Sequence, residues 1–306
     1  MMETKKFYSN GKLLVTGEYV VLDGAKALAV PTKFGQTLEI KDDTGFVFHW
    51  TSYDKDLSIW FQDIITFQEI ISKTKSETSS SIKNKLIDIL HQAYKQNPSF
   101  IDKAKGYDVK THLTFPRLWG LGTSSTLINN IAQWLEIDAF ELLRKSFGGS
   151  GYDVACAQTD APIVYHLQNE KPFFEKVNFN PAFRENIHFV YLNQKQNSST
   201  AIANYMAKHH HVDKTMSKIS AITYEAINTK EGKEFALLME KHEVIMSDVL
   251  ETETVKERLF PDFKGIVKSL GAWGGDFVMV ISKHYPKDYF IERGYTTILS
   301  YEEMVL

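Results

Sequence analysis

The stretch Phe115-Pro116-Arg117-Leu118-Trp119-Gly120-Leu121-Gly122-Thr123-Ser124-Ser125-Thr126 runs directly into Leu127-Ile128-Asn129-Asn130-Ile131-Ala132-Gln133-Trp134-Leu135. Its two glycines permit positive φ and a close approach of backbone to a ligand. Hydroxyl residues follow where a helix should begin, and such residues are favoured N-caps. From Leu127 the apolar residues fall at 127, 128, 131, 132 and 135, which is one face of a helix. A glycine-rich turn feeding a helix N-terminus presents N–H groups and the positive end of a dipole, an arrangement suited to anions and above all to phosphate. The hydroxyls add oxygen that can meet a phosphate or a magnesium ion. The plain alternative is a capped turn that binds nothing.

Two common phosphate loops are excluded. No G-x-x-x-x-G-K-[ST] occurs, and Gly120-Leu121-Gly122-Thr123-Ser124-Ser125 lacks the third glycine of the dinucleotide fingerprint. Asp262-Phe263-Lys264-Gly265 is not the D-F-G of protein kinases. At 306 residues the chain is long enough for about two domains. A net charge of -3 gives no bulk attraction to nucleic acid or to an anionic membrane. The single cysteine, Cys156, rules out an internal disulfide framework and fits a reducing compartment. With no apolar run of spanning length, the expectation is a soluble, cytoplasmic protein.

Along the chain, Phe7–Leu22 reads as strands broken by a turn at Ser9-Asn10-Gly11-Lys12, with Tyr19–Leu22 extended and Asp23-Gly24 turning sharply. Ala27–Val30 is a short apolar strand, and Thr37–Ile40 with Phe46–Trp50 alternates like a hairpin. Ser72–Ser81 is a polar loop before a helix over Ile82–Tyr94. A helix capped by Asp138 ends at Gly148-Gly149-Ser150-Gly151, and Tyr152 starts another. The charged, proline-containing stretch Gln168–Asn186 is the best candidate for a domain join. Beyond it come a strand at Ile187–Leu192, helices over 198–207, 212–228, 232–249 and 253–259, and a strand at Phe277–Ser282. Then Lys287–Gly294 is helix or strand, and Thr296-Thr297-Ile298 closes the chain. Adjacent residues do not chelate from one helix face, so His209-His210-His211 reads as a solvated stretch and not a metal site.

Phosphoryl transfer needs N–H groups for phosphates, oxygen for magnesium, an acceptor for the attacking hydroxyl's proton, and a cation to meet developing charge. The loop at 120–125 supplies the first two; Asp153 is a sensible acceptor and Lys12 a sensible cation. Each has a bland reading as well: Lys12 as a solvated turn residue, Asp153 as a helix cap.

At this point the sequence resembles the GHMP kinase superfamily. The family's P-G-K-x-x-L-x-G-E-[HY] is matched by Asn10 through Tyr19, and P-x-x-x-G-L-G-S-S by Pro116 through Ser125. G-A-G-G-G is matched by Gly271-Ala272-Trp273-Gly274-Gly275, and S-G-x-D by Ser150-Gly151-Tyr152-Asp153. Departures include Asn10 for proline, Thr123 for serine and Trp273 for glycine. The resemblance implies a two-domain α+β fold: a strand-rich N-terminal ATP-binding domain (1–180), a ferredoxin-like C-terminal domain (181–306), and the active site between them. It implies ATP and Mg2+ as cofactors, with Gly120, Leu121, Gly122, Thr123, Ser124 and Ser125 on the nucleotide phosphates and Ser124 or Ser125 reaching the metal. Asp153 and Lys12 become catalytic; Glu18, Tyr19, Ser150, Gly271 and Ala272 lie toward the acceptor. The magnesium-binding glutamate that some members carry ahead of S-G-x-D has no clear match here, although Glu141 lies on the preceding helix. The form of Gly17-Glu18-Tyr19-Val20-Val21-Leu22 and of Gly274-Gly275-Asp276 is similar to phosphomevalonate kinases, with mevalonate kinases next. The implied partner is a small alcohol or phosphorylated alcohol, handled by a monomer or homodimer. A non-catalytic binding protein on the same fold is the competing class.

Overall fold

Strand-forming sequence opens the chain: Lys5–Leu14 is β1, Ala27–Asp42 is β2, and Val20–Asp23 between them is a 3-10 turn. These positions belong to a computed structural model that describes residues 4–75, 80–196, 198–208 and 212–306. The turn expected at Ser9–Lys12 is instead continuous β1. Ser9 Oγ donates to Asn130 Oδ1 and accepts from Asn129 Nδ2, both at 2.8 Å, so a polar residue is satisfied inside a strand. The strand expected at Tyr19–Leu22 is the 3-10 turn, entered by Tyr19 at φ 61° and closed by Gly24 at φ 102°. Ala27–Val30 and Thr37–Ile40 belong to one strand, β2, which runs on through Pro31.

The next elements are β3 (Val47–Tyr53), β4 (Ile59–Thr66), α1 (Phe67–Ile71), α2 (Ser81–Gln96), α3 (Ser99–Asp102) and β5 (Tyr107–Leu113). β2 and β3 are not the hairpin that alternation suggested. β5 lies between them, antiparallel to β2 from Gln36 opposite Leu113 to Asp42 opposite Tyr107, and parallel to β3. Its Tyr107, Val109, Thr111 and Leu113 are all buried, alternating with partly exposed residues, so it packs one face inward. Part of the expected loop at 72–81 (residues 76–79) lies outside the described residues; Ser80 caps α2 by accepting the Lys83 N–H. Helices α4 (Thr123–Leu135), α5 (Ala139–Ser146) and α6 (Tyr152–Ala157) follow, with Asp138 capping α5 as expected.

The chain groups into two compact units. The first comprises Met1–Gly11, Phe34–Arg117 and Gly122–Gln158. Its core joins Leu38, Phe48 and Trp50 to Leu90, Ile128 and Ile131. Trp134 of α4 meets Tyr107 edge-on at 5.0 Å and Phe100 at 5.6 Å, which anchors the far end of α4.

The second unit comprises Lys12–Lys33, Leu118–Leu121 and Thr159–Leu306. The stretch expected as a join contains a strand: β6 (Ile163–Gln168) and β7 (Lys171–Lys176) pair across Asn169-Glu170. Both of those residues have positive φ, as a tight two-residue hairpin requires. Then come β8 (Ile187–Tyr191), α7 (Ser198–Lys208), α8 (Asp213–Asn228), α9 (Gly232–Leu250), α10 (Val255–Leu259), β9 (Ile266–Ser269) and β10 (Phe277–Ile281). The chain continues with α11 (Lys287–Ile291), β11 (Ile298–Ser300) and α12 (Tyr301–Met304). The four strands order β11-β8-β10-β9, all antiparallel, over a core that includes Val190, Phe260, Val278 and Phe290. His209–His211 lie outside the described residues. With 41% helix and 27% strand, the class is α+β, as expected.

Candidate active site

In the first unit, α4 starts from Gly122 at φ 95°, with no side chain capping it. The hydroxyls expected as caps do something else. Ser125 is buried and donates to the Gly122 carbonyl at 2.9 Å, and Thr126 donates to Gln36 Oε1 at 2.8 Å. Ser124 is exposed. The first-turn N–H groups of α4 therefore keep the positive end of the helix uncapped by any side chain, which suits a phosphate. Beneath them Asn130 Nδ2 donates to the Gln36 carbonyl at 2.9 Å, so a buried polar network ties α4 to β1 and β2. Of the two hydroxyls expected to reach a magnesium ion, that of Ser124 is exposed, and that of Ser125 donates its proton to backbone while its oxygen keeps lone pairs.

Asp153 is the second residue of α6, whose N-cap is Gly151 at φ 92°. It is half-buried, and its Oδ1 accepts the Val154 N–H at 3.0 Å. Gln158 Nε2 donates to Asn129 Oδ1 at 3.1 Å, so the helix carrying Asp153 is held against the one carrying Ser124. Ser150 just ahead is buried. Glu141 pairs with Lys145 at 2.5 Å along α5. Arg117 lies over the Trp60 ring at 5.1 Å.

In the second unit, Lys12 donates twice to one stretch of backbone: Nζ to the Gly120 carbonyl at 3.0 Å, and its own N–H to Leu121 at 3.1 Å. A Cβ on Gly120, whose φ is 70°, would sit 2.3 Å from the Asp276 carboxyl carbon, so only glycine fits there. Asp276 Oδ1 accepts the Gln196 N–H at 3.2 Å; burial pushes its carboxyl above the usual range while Lys12 pulls it back. Trp119 meets Phe277 edge-on at 5.4 Å, and Tyr191 donates to the Leu118 carbonyl at 3.1 Å. Residues 118–121 are thereby fixed to β8 and β10.

Glu18 is closed to solvent. Its Oε1 accepts from Lys268 Nζ at 2.6 Å, and its Oε2 lies 3.3 Å from His242 Nε2. Gly17 N–H also donates to that Nε2, at 2.9 Å, which assigns the ring proton to Nδ1. Burial raises Glu18 to about 7 against the pull of Lys268, and burial with the nearby Lys268 charge holds His242 well below its usual value. A proton on Glu18 Oε2 would relieve the meeting of two acceptors. Tyr19 Oη accepts the Trp273 N–H at 3.1 Å, so the large residue in the third glycine turn is held by its backbone. Ala272 is buried, and a Cβ on Gly271 would meet nothing within 4 Å. Among the described residues no group of three or more His, Cys, Asp or Glu side chains is placed to hold a metal.

Solved structures share this architecture across their length. Methanococcus jannaschii mevalonate kinase superposes with a TM-score of 0.70 at 18% identity, covering 97% of each chain. Streptococcus pneumoniae phosphomevalonate kinase, in complex with phosphomevalonate and AMPPNP, gives 0.68 at 14%, covering 94% of this chain and 95% of its own. The fold is that of the GHMP kinases. Staphylococcus aureus mevalonate diphosphate decarboxylase also matches, at 0.62 and 12%, over 100% of this chain and 95% of its own. The fold thus serves more than one chemistry, and the site must carry the functional reading. No family model matches the sequence, and no curated protein matches it.

Sequence reasoning missed Lys268, His242 and Glu243. A signal existed for the last two: α9 buries Phe235, Leu238, Met239, His242, Glu243 and Met246, which places both polar residues on the apolar stripe.

Proposed function

We propose that the protein is an ATP-dependent small-molecule kinase that transfers a γ-phosphoryl group to an acceptor of the mevalonate (isoprenoid) pathway, with 5-phosphomevalonate as the first choice and mevalonate as the alternative. What supports it most is the start of α4, where Gly122 leaves the helix N-terminus without a side-chain cap and Ser124 is exposed beside it. Bound ATP-Mg would supply the phosphoryl group and the metal charge. Within the chain, Gly122, Thr123 and Ser124 hold phosphate oxygens through backbone N–H groups, and Ser124 offers its hydroxyl to the metal. Asp153 orients the acceptor hydroxyl and takes its proton late in the transfer. Lys12 offsets charge on the transferred group while bracing Gly120.

The proposal keeps an N-terminal ATP-binding domain, 1–180, and a C-terminal domain, 181–306, in a cytoplasmic monomer or homodimer. The sub-family assignment rests on the phosphomevalonate-like form of the first and third motifs. The test is ADP release from ATP-Mg with 5-phosphomevalonate, mevalonate, homoserine and galactose in parallel. The expected order puts a phosphorylated or carboxylated acceptor first. Faster turnover of galactose would overturn the assignment, and no turnover with any acceptor would favour the binding-only class.

A further inference from the structure

In the second unit a buried cluster of ionisable groups ties the segment around Glu18 to the strand that leads into the turn Gly271–Asp276. Glu18, Lys268 and His242 are fully buried, and Glu243 nearly so. Lys268 Nζ donates to Glu18 Oε1 at 2.6 Å and to the Ser269 carbonyl at 2.7 Å, with Glu243 Oε2 at 3.9 Å. Ser269 donates to both Glu243 oxygens, through Oγ at 2.7 Å and N–H at 3.1 Å. On one side this cluster holds Gly17–Tyr19; on the other it holds β9 just before the turn Gly271–Asp276. The Tyr19 to Trp273 hydrogen bond is a second tie between the same segments. At the far end of that turn, Asp276 packs on Gly120 and feels the charge of Lys12.

A buried ion pair is weak evidence for stability, because well-packed apolar residues of similar volume serve as well or better, while removal of one partner strands a charge. Its better-attested use is to select one arrangement among several. We propose that the Lys268–Glu18 pair is a positioning device for the Gly271–Asp276 turn, so that both residues act on the reaction through that turn and neither touches substrate. The proposal rests on the kinase reading for its catalytic consequence, but the positioning itself can be read without turnover.

The experiment compares the wild type, Lys268→Met and the double variant Glu18→Leu/Lys268→Met by melting temperature, by hydrogen exchange of the 271–276 amides and by turnover. Lys268→Met alone strands Glu18 and should melt well below the wild type. The double variant removes both charges and should recover most of that loss. Its 271–276 amides should nonetheless exchange at least tenfold faster than in the wild type, and kcat/KM for the acceptor should fall by a similar factor. Wild-type exchange at 271–276 in a stable double variant overturns the proposal. A wild type with no turnover on any acceptor counts against the kinase reading alone, and the exchange result still decides the positioning.

Discussion

The start of α4 and the turn Gly271–Asp276 are both glycine-rich, yet they are held in opposite ways. α4 is fixed by neutral groups: an apolar face through Ile128, Ile131 and Leu135, and amide and hydroxyl bonds from Ser9, Gln36, Asn129 and Asn130. The strand leading into the second turn is held by the buried ionisable cluster of Lys268, Glu18 and Glu243, and the turn itself by the Trp273 N–H on Tyr19 Oη. Neutral bonds leave the helix dipole available to an incoming anion. Buried charge spends its field on its own partner and gives position instead. The first region therefore leaves a helix N-terminus without a side-chain cap, as the proposed phosphate site requires, and the second is the one proposed to hold position.

The largest test of that contrast falls on Asp153. Asp153→Asn keeps shape and hydrogen-bonding reach but loses the charge, so turnover should drop by roughly 10²-fold or more while ATP affinity stays near normal. A cap role predicts something different: lost stability, worth about 1 kcal/mol, with the rate retained. Gly151 already occupies the cap position of α6, and Asp153 sits one residue inside the helix. Turnover and melting temperature measured on the same Asn variant separate the two readings. A wild-type rate with a lower melting point would end the catalytic assignment.

A smaller effect is expected at Gly122. Its φ of 95° is a conformation that β-branched residues resist, and a side chain there would stand where phosphate must approach backbone. Gly122→Val should weaken nucleotide binding by about tenfold or more, roughly 1.4 kcal/mol. Calorimetry on a variant with an intact far-UV spectrum checks it, and unchanged affinity would move the phosphate site elsewhere.

How much of this could be read in the sequence follows the same contrast. The α4 face was legible because apolar spacing at 127–135 reports packing directly, and Asp138 was legible because a cap is a local bond. Local composition misled at Ser9–Lys12, where polar residues looked like a turn although their partners lie more than a hundred residues away. It misled again at β2 and β3, since alternation shows that a strand has two faces but not which strand lies beside it. Lys268 was hidden for the same reason. Nothing in Ile266-Val267-Lys268-Ser269 announces that a glutamate 250 positions earlier closes over it.

The smallest effect is the pH dependence that Glu18 should lend to stability. Its folded-state value is raised from 4.5 to about 7, mainly by burial. Between those values the folded chain keeps a proton that the unfolded chain has released, so this contribution is full below 4.5 and is lost as pH rises through about 7. The groups facing Glu18 are Lys268 from β9, His242 and Glu243 from α9, and Tyr19 beside it in sequence. His242 works the other way. Held well below its usual 6.5, it leaves the folded chain short of a proton in acid, and stability falls as pH drops. A single melting curve against pH would blend the two. Glu18→Gln separates them, because the amide keeps an acceptor for Lys268, does not titrate, and leaves His242, Glu243 and Tyr19 in place. The melting temperature of the wild type minus that of the variant should fall by a few degrees from pH 5 to pH 8 and then level off. If Glu18 were instead a permanently ionised partner of Lys268, with its proton lost below the unfolded value, the same difference would rise with pH at the acid end and stay flat near neutrality. The sign of that slope decides whether the second turn is held by an ion pair at neutral pH or by a lysine bonded to a carboxyl group that still carries its proton.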